Sequence, residues 1–209
     1  MKSKPTIGII GAGKLGTALA QRFIESGYTV SMANSKGPES LSFILDILLP
    51  DVHARTIPML AVESDVIIFA IPLHKYTSLD PALFAQKIII DAMNYWPPTE
   101  GQIEAFDRGI SSSEVLQHYF SQSKLVKSMN HIAYNELNEH NLSHNVNTRR
   151  VIFLASDDAN ARKTVSELVN AIGFDAVPTG NLDSGRLFQP DTPLFNARLT
   201  KKEAEILLG

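Results

Sequence analysis

A chain of 209 residues, 44% of them hydrophobic and with a net charge of -3, is long enough to bury a core and too balanced in charge to offer a polyanion-binding surface, which argues against nucleic acid as a partner. The absence of cysteine excludes disulfides, thiolate catalysis and cysteine-ligated metal sites, and it fits a reducing, cytoplasmic setting. No apolar run approaches the roughly 20 residues of a bilayer span, so a soluble protein without a membrane partner is expected.

In chain order, "TIGII" (6–10) reads as a buried strand and Lys14 to Ser26 as a helix, with Leu15, Ala18, Leu19 and Phe23 on one face and Gly27 as its stop. "YTVSMA" is a second strand and Pro38 to Leu49 a second helix. A short strand is expected near Ala54 to Pro58. "DVIIFAI" (65–71) and "KIIIDAM" (87–93) have the continuous apolar texture of parallel strands buried on both faces, and "SKLVKSMN" adds a sixth. Between these last two lies "NYWPPTEGQIEAFDRGISSS", a long loop with turn chemistry. It ends at a helix, Glu114 to Phe120, that any of Ser111, Ser112 and Ser113 can cap. Beyond Asn130 the texture turns polar; "RVIFLAS" is then a strand and Asp158 to Ile172 a helix closing at Gly173. The tail reads as an arm packing on another surface.

Gly11, Gly13 and Gly16 stand in G-x-G-x-x-G order between the first strand and its helix, with another strand about twenty residues on, which is the context a dinucleotide fingerprint requires. Gly11 permits the tight turn, Gly13 the approach of a pyrophosphate and Gly16 close packing of helix on strand. The amides at the helix start would hold the anion. An NAD-preferring site then places Asp or Glu at the end of the second strand. Here that position falls at Ala33 or Asn34, and the Asn34 amide, Ser35 hydroxyl and Lys36 ammonium suit a 2′-phosphate instead, so NADP(H) is the expected cofactor.

These readings make the fold α/β: a Rossmann-type doubly wound, mostly parallel sheet with a small C-terminal α/β lobe. Residues 1–130 form the NADP(H)-binding domain, and 131–209 the small lobe and arm. The nicotinamide should meet the residues that follow the fourth, fifth and sixth strands. Ala70, Ile71 and Pro72 offer a small apolar wall; Asn94 and Asn130 can bond a carboxamide or ribose, with Ile132 beside them; and Tyr95 and Trp96 can stack on an aromatic acceptor. His131 is the one group there with a pKa near neutrality, a proton relay or a structural hydrogen-bond donor in equal measure. His140 and His144 lack a third ligand and read as a solvated loop, so no metal site is expected, and Asp157-Asp158 reads as a helix cap.

Taken together, "IGIIGAGKLGTALA", "ANSKGPESL", "VIIFAIPL", "IIIDAMNYWPP", "SSSEVL" and "LVKSMNHIAYNEL" resemble, in order, the NADPH-dependent coenzyme F420 reductases, the F420-dependent NADP oxidoreductase family. "TPLFNARLT" extends the likeness towards the C-terminus. The resemblance implies a homodimer that moves a hydride between NADP(H) and the deazaflavin F420, or a flavin-like acceptor. Gly11, Ala12, Gly13, Lys14 and Leu15 would line the pyrophosphate, Asn34, Ser35 and Lys36 the 2′-phosphate, and Ala70, Ile71, Pro72, Asn94, Asn130 and Ile132 the nicotinamide. Lys36 departs from the arginine common in the family, and "KSMNHI" from a "KAFNTI" type of run. Positioning two rings needs no indispensable catalytic side chain. The alternatives are a non-enzymatic NADP(H)-binding redox sensor and a reductase of another small acceptor, such as a ferric chelate.

Overall fold

The structure, a computed structural model, describes residues 4–106, 109–139 and 148–209. His140 and His144 lie outside the described residues. Eight strands form one sheet: β1 (Ile7–Ile10), β2 (Val30–Ala33), β3 (Val52–Ala54), β4 (Val66–Phe69), β5 (Ile88–Asp91), β6 (Lys124–Ser128), β7 (Val151–Ala155) and β8 (Asp175–Gly180). Their order is β3-β2-β1-β4-β5-β6-β7-β8. Every neighbouring pair is parallel except β6 and β7, so the first six strands make the doubly wound arrangement, with its reversal of order between β1 and β4.

Among the described residues eight α-helices accompany them: α1 (Lys14–Glu25), α2 (Ser42–Leu48), α3 (Ile57–Glu63), α4 (Pro97–Glu100), α5 (Ser112–Tyr119), α6 (Tyr134–Glu139), α7 (Ala159–Ala171) and α8 (Lys201–Leu208). Alternate strand residues feed opposite cores. Ile7, Ile9, Met32, Val66, Ile68, Ile90 and Val126 pack with α1, α2, α6 and α7. Ile10, Ala33, Ile67, Phe69, Ile89 and Leu125 pack with α3 and α5. The second core holds Phe69, Phe84 and Phe120 edge to face at 5.2–5.7 Å, all fully buried, each such side chain worth about 1.5–3 kcal/mol of transfer free energy. Because both faces of the central strands are covered, "VIIF" and "IIID" carry no polar alternation.

Three elements depart from the sequence expectation. The third strand ends at Ala54, so the segment expected as strand up to Pro58 is instead the entry to α3, where the Thr56 hydroxyl accepts the Met59 amide and Pro58 occupies the first turn. β8 lies between Gly173 and the tail, where no strand is expected from the sequence; its Pro178 is tolerated because β8 is an edge strand. The arm packs on its own chain: Leu194 and Ala204 join Val151, Phe153, Val177 and Phe188 in a third cluster, and the Val151 amide bonds the Leu199 carbonyl. The sheet runs on through β7 and β8 beyond residue 130. Of the three serines, Ser111 is the cap of α5, in a reciprocal box with Glu114.

Candidate functional site

The site is built where β1 turns into α1. Gly11 takes φ +120, and a Cβ there would lie 2.3 Å from the Ala70 carbonyl oxygen; one on Gly16 would lie 2.0 Å from that of Gly11. These two glycines are required by the fold itself. Gly13 differs: it has an ordinary extended conformation, and a Cβ on it would meet nothing within 4 Å. It is also the N-cap of α1, and no side chain caps the free amides of that first turn. Open space in front of uncapped amides at the positive end of a 12-residue helix is what an anionic pyrophosphate needs. Beside it, Ala12, Gly13, Lys14, Thr17, Ile44 and Tyr134 border a cleft of about 340 Å³, with the Lys14 ammonium 5.1 Å from the centre of the Tyr134 ring. Leu15 is half-buried against the core below.

At the end of β2 no carboxylate appears. The Asn34 Oδ1 accepts the Lys36 amide at 2.9 Å and its Nδ2 donates to Ser40 Oγ at 2.9 Å, while that hydroxyl donates to the Gly37 carbonyl at 2.7 Å. Asn34 therefore shapes the turn, and Ser35 and Lys36 project from it exposed. Ser40, which sequence reasoning treated only as the start of the next helix, closes this turn.

On the other side of the order reversal, Ala70 and Ile71 are half-buried and Pro72 exposed. Asn94 and Asn130 are paired to each other. Asn94 Nδ2 donates to the Asn130 carbonyl at 2.7 Å, and Asn130 Nδ2 donates to Asn94 Oδ1 and to the Phe188 carbonyl at 3.0 Å each. Ile132 is buried. Tyr95 accepts the Ile103 amide through its hydroxyl and packs on Phe106. Trp96 is 39% exposed, with its ring 6.2 Å from that of Phe195. Phe195 belongs to the C-terminal arm, and the amide of Asn196 next to it bonds the His131 carbonyl. Nothing local in "TPLFNARLT" signals that approach.

His131 faces inward. It is 1% exposed, its Nε2 accepts the Phe153 amide at 3.1 Å, and its ring lies against Phe153 and Phe188. Burial, with Arg150 and Lys127 nearby, drives its pKa down to about 3, so the ring is neutral near pH 7. That is the geometry of a structural acceptor, not of a proton relay. Asp158 does cap α7, its Oδ1 accepting the Ala161 amide at 2.7 Å.

Beneath the asparagine pair lies a feature that sequence reasoning missed. Asp91 and Lys127 are both fully buried, Nζ to Oδ2 3.2 Å, with the Ser113 hydroxyl donating to the same carboxylate oxygen at 2.6 Å. An Asp and a Lys set within two otherwise apolar strand runs were the available signal. Further out, Glu136 receives Arg150 and Arg198. Burial pushes its pKa up, but the two guanidinium groups outweigh this and hold it below the usual carboxylate range. Among the described residues no three His, Asp or Glu side chains gather as a metal site, and no helix is long and apolar enough to cross a membrane.

Residues 6–95 match the family described as NADP oxidoreductase, coenzyme F420-dependent. A structure of a hypothetical protein from Sinorhizobium meliloti is 30% identical, with a TM-score of 0.83 over 94% of this chain and 96% of that one. A proposed F420-dependent NADP reductase from Arthrobacter, 21% identical, shares the fold with a TM-score of 0.71 over 87% of each chain. Metalloreductase STEAP3 of Rattus norvegicus is 31% identical over 188 residues, which cover 88% of this chain and 36% of that protein. The chain spans about a third of the length of the curated relatives it matches. Residues 6–95 of this chain form a domain of the F420-dependent NADP oxidoreductase family.

Proposed function

We propose that this member of an NADP oxidoreductase family binds NADP(H) across the C-terminal ends of β2, β1, β4, β5 and β6 and passes a hydride to a planar acceptor, a deazaflavin such as coenzyme F420 or a flavin. The observation that carries the reading is the end of β2. Where an NAD site keeps a carboxylate for the ribose, this chain has a turn tied by Asn34 and Ser40 that leaves Ser35 and Lys36 projecting. A 2′-phosphate there would meet a hydroxyl and an ammonium.

The residues present fit the cofactor. The free amides after Gly13 would receive the pyrophosphate, Ala70, Ile71 and Pro72 would wall the ring, and the Asn94–Asn130 pair would floor it. Bound NADPH supplies the hydride; the chain holds the ring and keeps water away. Since His131 is neutral and enclosed, the reading asks no side chain to move a proton. Trp96 and Phe195 would face the acceptor, and the working unit is a homodimer, which sedimentation of the purified chain checks.

A second reading, reduction of a ferric chelate, is favoured by the likeness to a protein named as a metalloreductase. One assay separates the readings: NADPH oxidation followed at 340 nm against F420, FMN and ferric citrate, beside dissociation constants for NADPH and NADH. The expected result is at least tenfold tighter binding of NADPH and turnover with F420 or FMN. Turnover with ferric citrate alone supports the second reading. Tight NADPH binding with no turnover on any acceptor leaves a redox sensor and sinks both.

A further inference from the structure

We propose that Lys127, Asp91 and Ser113 are positioning residues that fix the chain turn presenting Asn94 to the nicotinamide; this rests on the cofactor reading above. Asp91 ends β5 and stands directly opposite Lys127 on β6. Both side chains of the pair are wholly removed from water. Asp91 Oδ1 accepts the Met93 amide at 3.0 Å, and Lys127 Nζ donates to the Met93 carbonyl as well as to Asp91. Both backbone polar groups of one residue are therefore held by the two members of one ion pair. Ser113, fully buried near the start of α5, adds a third anchor from outside the strands. The next residue is Asn94, fastened to Asn130 by two further bonds. The span from Asp91 to Asn94 is thus tied below by charges and above by amides.

Stability does not explain the arrangement. Two charges taken out of water recover their desolvation only with excellent geometry, and apolar residues of similar volume commonly do as well or better. The cost shows in the lowered pKa of Lys127, which burial drives down and Asp91 counters. What the pair supplies is a direction: the Met93 N–H and C=O lie on the two peptide planes that flank its Cα, so holding both restrains each plane, and the second of them leads directly into Asn94. Gly185 seals the site, since a Cβ there would come within 3.1 Å of the Lys127 Cγ; the arm can close over the lysine stem because that position is glycine.

The test compares two ligands that differ only in the ring. Dissociation constants for NADPH and for 2′-phospho-ADP-ribose, which lacks the nicotinamide, are measured by calorimetry on the wild-type chain, on Asp91→Asn/Lys127→Met and on Ser113→Ala. The expected outcome is that the double variant weakens NADPH roughly tenfold while the fragment moves less than twofold, as misplacement of one contact would require. Ser113→Ala should show the same asymmetry at about threefold, and it carries the comparison if the double variant does not fold. A merely structural role moves both ligands by one factor or neither, and either result overturns the proposal. If the wild-type chain binds NADPH but not the fragment, the phosphate assignment fails instead, and a wild-type chain that binds neither ends the cofactor reading and this inference with it.

Discussion

The two halves of the proposed cofactor cleft are built on opposite terms. On the β1–β2 side the groups that would meet phosphate are exposed side chains and bare amides: Lys36, Ser35 and the first turn of α1, with only the local bonds of Asn34 and Ser40 giving shape. On the β5–β6 side the polar groups are buried and bonded to one another, Asp91 to Lys127, Asn94 to Asn130, His131 to Phe153. The first kind of region binds by leaving charge unanswered; the second binds by holding a shape. A substitution of an exposed group on the phosphate side should therefore change affinity and spare the fold, and one in the buried network on the ring side should cost stability along with ring contact.

The largest effect expected is on stability, from Lys127→Met alone. It leaves the Asp91 carboxylate buried without its cation, at a cost of about 3–5 kcal/mol in urea denaturation, and removing the Asp91 charge as well should recover most of it. A single-variant cost under about 1 kcal/mol would contradict the burial described. Next come the glycines. Gly16→Ala drives a methyl into the Gly11 carbonyl and should cost about 3 kcal/mol, whereas Gly13→Ala, placed in open space, should change stability by less than about 0.5 kcal/mol yet weaken NADPH about tenfold. Equal stability losses for the two would erase the distinction between fold glycine and ligand glycine.

Acid sharpens the contrast from a third direction. His131 is neutral when folded down to about pH 3 and titrates near 6.5 when unfolded, so below pH 6.5 the unfolded chain takes up the proton that the folded chain refuses. Its contribution is complete above pH 6.5 and declines as pH falls towards 3. Between pH 6.5 and 5 this amounts to about 2 kcal/mol, and His131→Gln should flatten that part of the pH–stability curve. The smallest effect on the fold belongs to Lys36→Glu. Melting temperature should stay put while NADPH weakens about tenfold or more and NADH holds its affinity, because only the 2′-phosphate meets the new charge. A variant that still prefers NADPH would move the phosphate pocket elsewhere.

Much of this was readable in the sequence where function is local. The glycine spacing, the missing acid after β2 and the apolar runs of β4 and β5 each report on residues close in the chain, and they point to the side proposed for the phosphates. The missed elements had weaker signals of the same kind: Thr56 ahead of Ile57 and Pro58 announces α3, and Thr200 with Glu203 is the capping box that opens α8. β8 was obscured by Pro178, which reads as a strand breaker until its edge position is known. The ring side was not legible for a different reason. That Asp91 lies beside Lys127 depends on strand register, and that His131 points at Phe153 depends on β7 returning antiparallel to β6, neither of which any short window contains.

That reversal has a bearing on how the molecule opens. β6 and β7 share only two register pairs, Lys127 with Ala155 and Ser128 with Leu154. Side chains continue the seam where backbone pairing stops: Ser128 and Ser156 hydroxyls bond the Phe153 and Leu125 carbonyls, and the His131 ring receives the Phe153 amide. In amide hydrogen exchange the seam should then behave as a boundary between cooperative units, with the protection of the Phe153 amide set by an imidazole. Mild acid would loosen that one amide ahead of the interior strands, and the sheet would part at β6–β7 before it melts.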